Sequence, residues 1–441
     1  MRRPVLAAAA VVAVLVAGWF ACGPGTSANR PNVIMIVMDT TRGDRCSVEG
    51  YGRPTTPRLE DFAKDAVVFT EAWSPAGWTG PAHASLFTGL RAEHHGFYTG
   101  NRLSLPPDIP TMSEILRREG YATGCFSNNE LIGTNSGLNR AFDRFEPFYE
   151  NDARPYPWAI ATHNIAAGWV AEQVQAKRPF FLFINDMEPH LKYTPEPQDE
   201  AAFLRGNPAA GAVAEMRAWD FPHTIAYSAG AEDLTPAQLA ILSDLYDAEI
   251  ATLDREIGVL LDKLRALGVL DSSVVLILGD HGELLGEHHL AAHGFSMHRA
   301  ARKVPLLVRF PGRFDGGRRV PSLVRLEDVF PTVLELCGLK VPGDVDGVTL
   351  TRDLEGRISR AMQGPDEEMK ARLEKQVPGA DASRLTAGIE AVFDGRWHLL
   401  LYGDGRRELY DIANDPDERT DLTAAKPDEV ARLTKLLKDT P

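Results

Sequence analysis

Cysteine is scarce in this sequence: there are four in 441 residues, and no two are spaced as a C-x-x-C pair. Cys46, Cys125 and Cys337, the three beyond the N-terminal apolar run, therefore make neither a zinc–thiolate site nor a disulfide framework. They leave room for one bridge at most, or for free buried thiols. Excess positive charge is missing too. Lys and Arg total 47 against 61 Asp and Glu, a formal net charge of −14. A nucleic-acid backbone needs basic surface, so no nucleic-acid partner is expected. The acidic balance otherwise serves solubility. Internal repeats are absent, as are low-complexity tracts beyond the N-terminal apolar run, which excludes solenoids and arrays.

Long apolar runs are limited to one, at residues 5–21, preceded by Arg2 and Arg3 and followed by a polar stretch, residues 23–30. That order is the n-region and h-region of a secretory signal, or a short membrane anchor. Cys22 adds lipid attachment as a third alternative, although Trp19 and Phe20 suit a lipoprotein cleavage box poorly. All three readings export the body, to the periplasm or the extracellular space, and two of them tether it to a membrane. Residues 1–29 are accordingly set apart as signal or anchor with linker.

What remains has a globular composition, 44% hydrophobic and 24% charged, and is long enough for two or three domains. Residues 33–38 (VIMIVM), 180–184 and 273–278 are short, wholly apolar runs, as expected of strands covered on both faces of a parallel sheet. Further strands are expected at 66–70, 121–126 and 304–310. Helices are expected at 58–65, 111–119, 162–176, 236–266 and 327–336, the fourth starting at Thr235-Pro236 as cap and first turn. Residues 351–384 read as polar and helix-prone. Antiparallel strands at 388–401 and 407–410, with a helix at 426–438, close the chain. The alternation predicts an α/β catalytic domain with a largely parallel sheet at 30–345, and a small α+β subdomain at 346–441.

Chemistry concentrates at strand ends. Asp39, Asp186 and Asp280 each fall at or just after the end of an apolar strand, the edge where α/β sheets bind ligands. Converging acids need a cation, and histidines accompany them: His281 beside Asp280, His190 four residues after Asp186, and His293 downstream. With a Thr hydroxyl they fit zinc or manganese; a mainly carboxylate shell fits calcium or magnesium. The hydroxyl is found in SPAGWTGPAHASLFTG, residues 74–89, a glycine-rich loop feeding a helix. Thr79 falls near that helix's N-cap, where an anion is favoured, and His83 lies one turn on. His94 and His95 read as surface residues, Arg42 as the partner of an acid, and His288 as a neighbour of the metal motif.

Six stretches together carry a family resemblance: PNVIMIVMDTTRGD (31–44), YGRPTTPRLEDFA (51–63), SPAGWTGPAHASLFTGL (74–90), INDMEPH (184–190), LGDHGELLGEH (278–288) and ELYDIANDPDE (408–418). The chain resembles the sulfatase family of the alkaline phosphatase superfamily. That resemblance implies an alkaline-phosphatase-like core and hydrolysis of phosphate or sulfate esters in a small molecule, glycan or lipid. Two departures stand out. The family's C-x-P-x-R, whose Cys or Ser becomes formylglycine, is here Thr79-Gly80-Pro81-Ala82-His83, and a secondary alcohol cannot give that aldehyde. Paired acids after the first strand are reduced to Asp39-Thr40. Superfamily phosphodiesterases and phospho-headgroup transferases are similar in using Thr as nucleophile, which favours phosphoester hydrolysis. The implied sites are Asp39, Thr79, Asp280 and His281 for a first divalent metal, and Asp186, His190 and His293 for a second. A single calcium or magnesium is the alternative. Thr79 is the implied nucleophile, with Asn128 donating to a phosphoryl oxygen and His83 contacting the transferred group. A transferase acting on lipid or glycan, and an inactive binding protein, are the rival functions. Residues 151–161 and 195–232 are expected as pocket-wall loops.

Overall fold

A computed structural model describes residues 30–150, 157–377 and 381–439. The signal or anchor lies outside the described residues, as does the first part of the 151–161 loop. Eleven strands form the main body: β1 (Asn32–Met38), β2 (Val67–Trp73), β3 (Ala122–Ser127), β4 (Arg144–Pro147), β5 (Phe180–Asp186), β6 (Ser273–Gly279), β7 (Leu284–Leu285), β8 (Ala291–Ala292), β9 (Lys303–Val304), β10 (Leu306–Arg309) and β11 (Arg318–Arg325). Nine of them make one sheet in the order β11-β2-β10-β6-β1-β5-β3-β4, with β9 beside β2. β7 and β8 form a separate hairpin.

Within the large sheet β1 is central and parallel to both β5 and β6. β9 and β10 run against their neighbours, so the sheet is mixed and mostly parallel. The stretch expected as one strand at 304–310 is two, because Pro305 has no N–H to give a ladder. β4 and β11 were not anticipated. β11 is an arginine-bearing edge strand whose register shifts between Val320 and Leu323, around Pro321.

Side-chain alternation divides the core. Val33, Met35, Val37, Phe181, Phe183, Leu276 and Leu278 face one side, against Leu86 and Phe87 of the Thr79–Thr88 helix and Phe330 of the Val329–Leu336 helix. Ile34, Ile36, Met38, Leu182, Ile184 and Ile277 face the other. There they meet Trp169 of the Trp158–Ala176 helix and Leu253, Ile257 and Leu260 of the Pro236–Ala266 helix. That 31-residue helix starts as expected, with Thr235 and Gln238 forming a reciprocal cap. Residues 195–232, expected as loop, contain three short helices, Pro197–Phe203, Ala210–Ala218 and Phe221–Ser228.

The C-terminal segment forms a four-stranded antiparallel sheet of β12 (Ser359–Gln363), β13 (Ile389–Phe393), β14 (Trp397–Tyr402) and β15 (Arg407–Asp411). β12 lies inside the stretch read as helix-prone. Its buried positions Ser359, Ala361 and Gln363 alternate with part-exposed ones, a strand period that polar residues concealed. One face is covered by Val430, Leu433 and Leu437 of the Pro427–Asp439 helix. The other packs on the main body, with Phe393 stacked on Trp73 at 4.2 Å between ring centroids. Buried Arg302 bridges the seam, donating Nε–H to Ser74 O (2.9 Å) and Nη2–H to Ser359 Oγ (2.7 Å). Removing the fully buried Trp73 ring by Trp73→Ala is expected to cost about 3–5 kcal/mol in denaturant unfolding; a loss below 1 kcal/mol would show that this seam does not hold the two sheets together.

Candidate active site

The sheet's alternation decides which polar groups meet. Asp39 continues the odd-numbered face of β1, Asn185 that of β5 and Asp280 the even-numbered face of β6, so all three point to the Thr79–Thr88 helix. Trp78 is the N-cap of that helix and Thr79 its first residue; the Thr79 hydroxyl is not the cap. It is buried, 3.2 Å from His281 Nε2 and 3.2 Å from Asn129 Nδ2. Gly77 lets the loop pass: a Cβ there would lie 2.4 Å from Ser296 O. Gly282, after His281, has the same role against Ala300 O.

Both carboxylates are clamped by one oxygen. Asp39 Oδ2 accepts from Asn129 Nδ2 (2.8 Å) and Asn185 Nδ2 (3.1 Å). Asp280 Oδ1 accepts from the His281 N–H (2.8 Å) and the Thr40 N–H (3.2 Å). The other oxygens, Asp39 Oδ1 and Asp280 Oδ2, are buried without a hydrogen-bond partner and lie 3.6 and 3.4 Å from His281 Nε2. His281 donates Nδ1–H to Gly282 O (2.9 Å), which leaves a lone pair on Nε2. Three lone-pair donors thus face one another out of water, within 4.8 Å of each other. Burial and the Asp39 charge hold the Asp280 carboxyl well above the usual range, and burial with His293 pushes His281 down to about 3. A divalent cation would relieve this crowding, and the donor set of two carboxylates and one imidazole beside a hydroxyl fits one. Thr40, at φ 55° with its own buried hydroxyl unpartnered, adds a strained residue at the same place.

Three more histidines share one tautomer. His83 donates Nδ1–H to Thr79 O (3.0 Å), His190 to Leu191 O (2.8 Å) and His293 to Glu283 Oε1 (3.0 Å). Each keeps a lone pair on Nε2, as metal-binding histidines do when a second group fixes the ring. His293 lies between His281 and His190, with ring centroids 4.7 and 4.9 Å away. His190 and His293 are half-buried and face outward from the fully buried Thr79 group. His83 instead packs inward on Phe87 and Phe183, with Nδ1 3.4 Å from Asp280 Oδ2.

Two expected residues are not brought here. Asp186 lies on the opposite face of β5, where its Oδ2 accepts from His163 Nε2–H at 2.9 Å. Asn128 also points behind the sheet, to Thr162 Oγ1 (3.0 Å) and Asn185 O (3.1 Å). One residue on in each direction, Asn129 and Asn185 occupy the site in their place. Glu283 was missed as well; it lies two positions beyond His281. Arg42 is buried against Asp44 (2.8 Å) and Glu287 (2.7 Å). His95, read as exposed, is buried and bonded to Ser85 Oγ (3.0 Å).

Comparison with known proteins supplies the lineage. The sulfatase family matches residues 31–339. The chain belongs to the sulfatase family. A second match, N-sulphoglucosamine sulphohydrolase C-terminal, covers residues 286–440. Among sulfatase relatives, arylsulfatase K of Xenopus laevis is 25% identical, over 93% of this chain and 83% of the relative. An ulvan-active sulfatase of Formosa agariphila is 26% identical over 87% and 73%. In structure, the phosphonate monoester hydrolase of Agrobacterium radiobacter matches with a TM-score of 0.72 at 22% identity, covering 93% of this chain and 94% of that one. A protein solved with its substrate D-glucosamine-2-N,6-O-disulfate matches with a TM-score of 0.71 at 19% identity, covering 93% and 97%. Like these sulfatase relatives, the chain is an ester hydrolase by family, and such enzymes are metal-dependent.

The two asparagines give a paired test. Asn129→Ala is expected to lower kcat by about 10²-fold or more, while Asn128→Ala changes kcat only a few-fold and acts on stability. Equal kinetic losses would contradict the placement of these side chains.

Proposed function

We propose that this sulfatase-family chain hydrolyses phosphate or sulfate esters, phosphoesters in preference, with Thr79 as its nucleophile. The observation that carries the reading is the position of Thr79 Oγ1, buried between His281 and Asn129 beside two carboxylate oxygens that have no partner. The likeness to a phosphonate monoester hydrolase supports a phosphorus centre, and the arylsulfatase relatives support sulfate as the second class.

Asp39, Asp280, His281 and Thr79 would hold a divalent ion, zinc or manganese by donor type, and when bound it supplies charge neutralisation and a lowered hydroxyl pKa. Asn129, bonded to both Asp39 and Thr79, fixes the direction of the attacking oxygen. The Thr79 oxygen attacks phosphorus in line; its bond to phosphorus forms as the bond to the leaving oxygen breaks, and the departing alcohol takes up a proton. Water then attacks the same phosphorus, returning a proton to Thr79 and releasing phosphate or a phosphomonoester. His190 and His293, at the outer side, meet the oxygens of the ester. A second ion would have these two histidines as its protein ligands, without Asp186. Export of the body is proposed on the leader sequence alone, and the division near residue 345 on the sequence pattern.

Thr79→Ala is expected to abolish turnover, by on the order of 10⁴-fold or more, on aryl phosphates, phosphodiesters and aryl sulfates alike, in protein that keeps its melting temperature. Turnover surviving in that variant would refute the nucleophile assignment. Chelation should remove activity from the wild-type chain, and zinc or manganese should restore it; full activity after exhaustive chelation would refute the metal reading.

A further inference from the structure

A second group of ligand atoms lies apart from Thr79, where the C-terminal segment meets the main body. We propose that His288, His298 and Glu418 form a structural divalent-metal site of the zinc type. Their ligand atoms all lie within 4.8 Å of one another. Two imidazole nitrogens and one carboxylate oxygen are the donors zinc prefers, with a fourth position left for water.

The three residues come from separate pieces of chain. His288 lies in the turn between β7 and β8, His298 directly precedes the Arg299–Arg302 helix, and Glu418 follows β15. An ion held by all three would tie the C-terminal segment to the loop beyond Asp280. Outer partners are already in place. His298 donates Nε2–H to Glu408 Oε2 at 2.8 Å, the carboxylate–histidine pairing that fixes the rings of metal ligands, which leaves its Nδ1 as the donor. The Ser296 hydroxyl now bonds that nitrogen at 2.6 Å and can rotate away. Glu418 is held by His398 and by the Arg299 N–H (2.7 Å).

His288 is the residue ordinary packing explains least. Among the described residues neither of its ring nitrogens has a hydrogen-bond partner, and the ring lies flat on His298 with centroids 3.6 Å apart. Its backbone is at φ 56°, as is that of His289, and two successive left-handed non-glycine residues are strained. That strain delivers the imidazole to His298 and to the edge of a polar crevice of about 890 Å³, lined also by Tyr51, Arg299 and Tyr410. Water reaches the open position from that side.

The test is metal content of the full-length chain. Wild type and His288→Ala are loaded with zinc, dialysed and measured by elemental analysis alongside ester turnover. The expected result is loss of about one equivalent of zinc in the variant, with turnover within a few-fold of wild type and a lower melting temperature. Asp39→Asn with Asp280→Asn, which disables the Thr79 site, should retain that equivalent and show tetrahedral Co²⁺ absorption. Unchanged zinc in His288→Ala, or no Co²⁺ bound by the Asp39→Asn/Asp280→Asn protein, would show that the two rings merely stack.

Discussion

Two carboxylates, Asp39 and Asp280, are brought side by side by neighbouring parallel strands and withdrawn from water on the same face of the sheet. Each is steadied by hydrogen bonds to one oxygen only, and the free oxygens face a histidine nitrogen that has no proton to offer. Such an arrangement is unfavourable until positive charge enters it. The rest of the site answers that constraint. β1 and β6 fix the acids, the Thr79–Thr88 helix lays a hydroxyl against them, and Asn129 ties the hydroxyl to Asp39.

With Thr79 as the proposed nucleophile, this framework works differently. In the proposed mechanism a threonine hydroxyl, which cannot be converted to an aldehyde, takes up the phosphoryl group by direct displacement, and release then depends on water reaching phosphorus. The histidines suit that course. His190 and His293 line the outer side, each with one nitrogen engaged and the other available. His83 faces inward instead, donating to Thr79 O and packing on Phe87 and Phe183, with Asp280 Oδ2 3.4 Å from its Nδ1.

Much of this is legible in the sequence. The apolar runs of β1, β5 and β6 announced buried parallel strands, and Asp39, Thr79, Asp280, His281, His190 and His293 all converge as their motifs suggested. The two misplaced site residues, Asp186 and Asn128, share one physical cause. Side chains alternate across a strand, so a shift of one residue moves a group through the sheet. Asp186 follows Ile184 to the face covered by the Trp158–Ala176 helix while Asn185 follows Phe183 to the site; Asn128 and Asn129 divide in the same way. Carrying the alternation of each apolar run two residues further would have sorted them. β12 was hidden differently, since its inward positions are Ser359, Ala361 and Gln363, which no hydrophobic pattern reveals.

The stereochemical course at phosphorus tests the central claim most directly. Hydrolysis of an isotopically chiral phosphoester in labelled water reports how many in-line displacements occur. Attack by Thr79 followed by attack of water inverts the centre twice, and the account predicts net retention. Net inversion would mean that water attacks the ester itself and that Thr79 never carries the phosphoryl group.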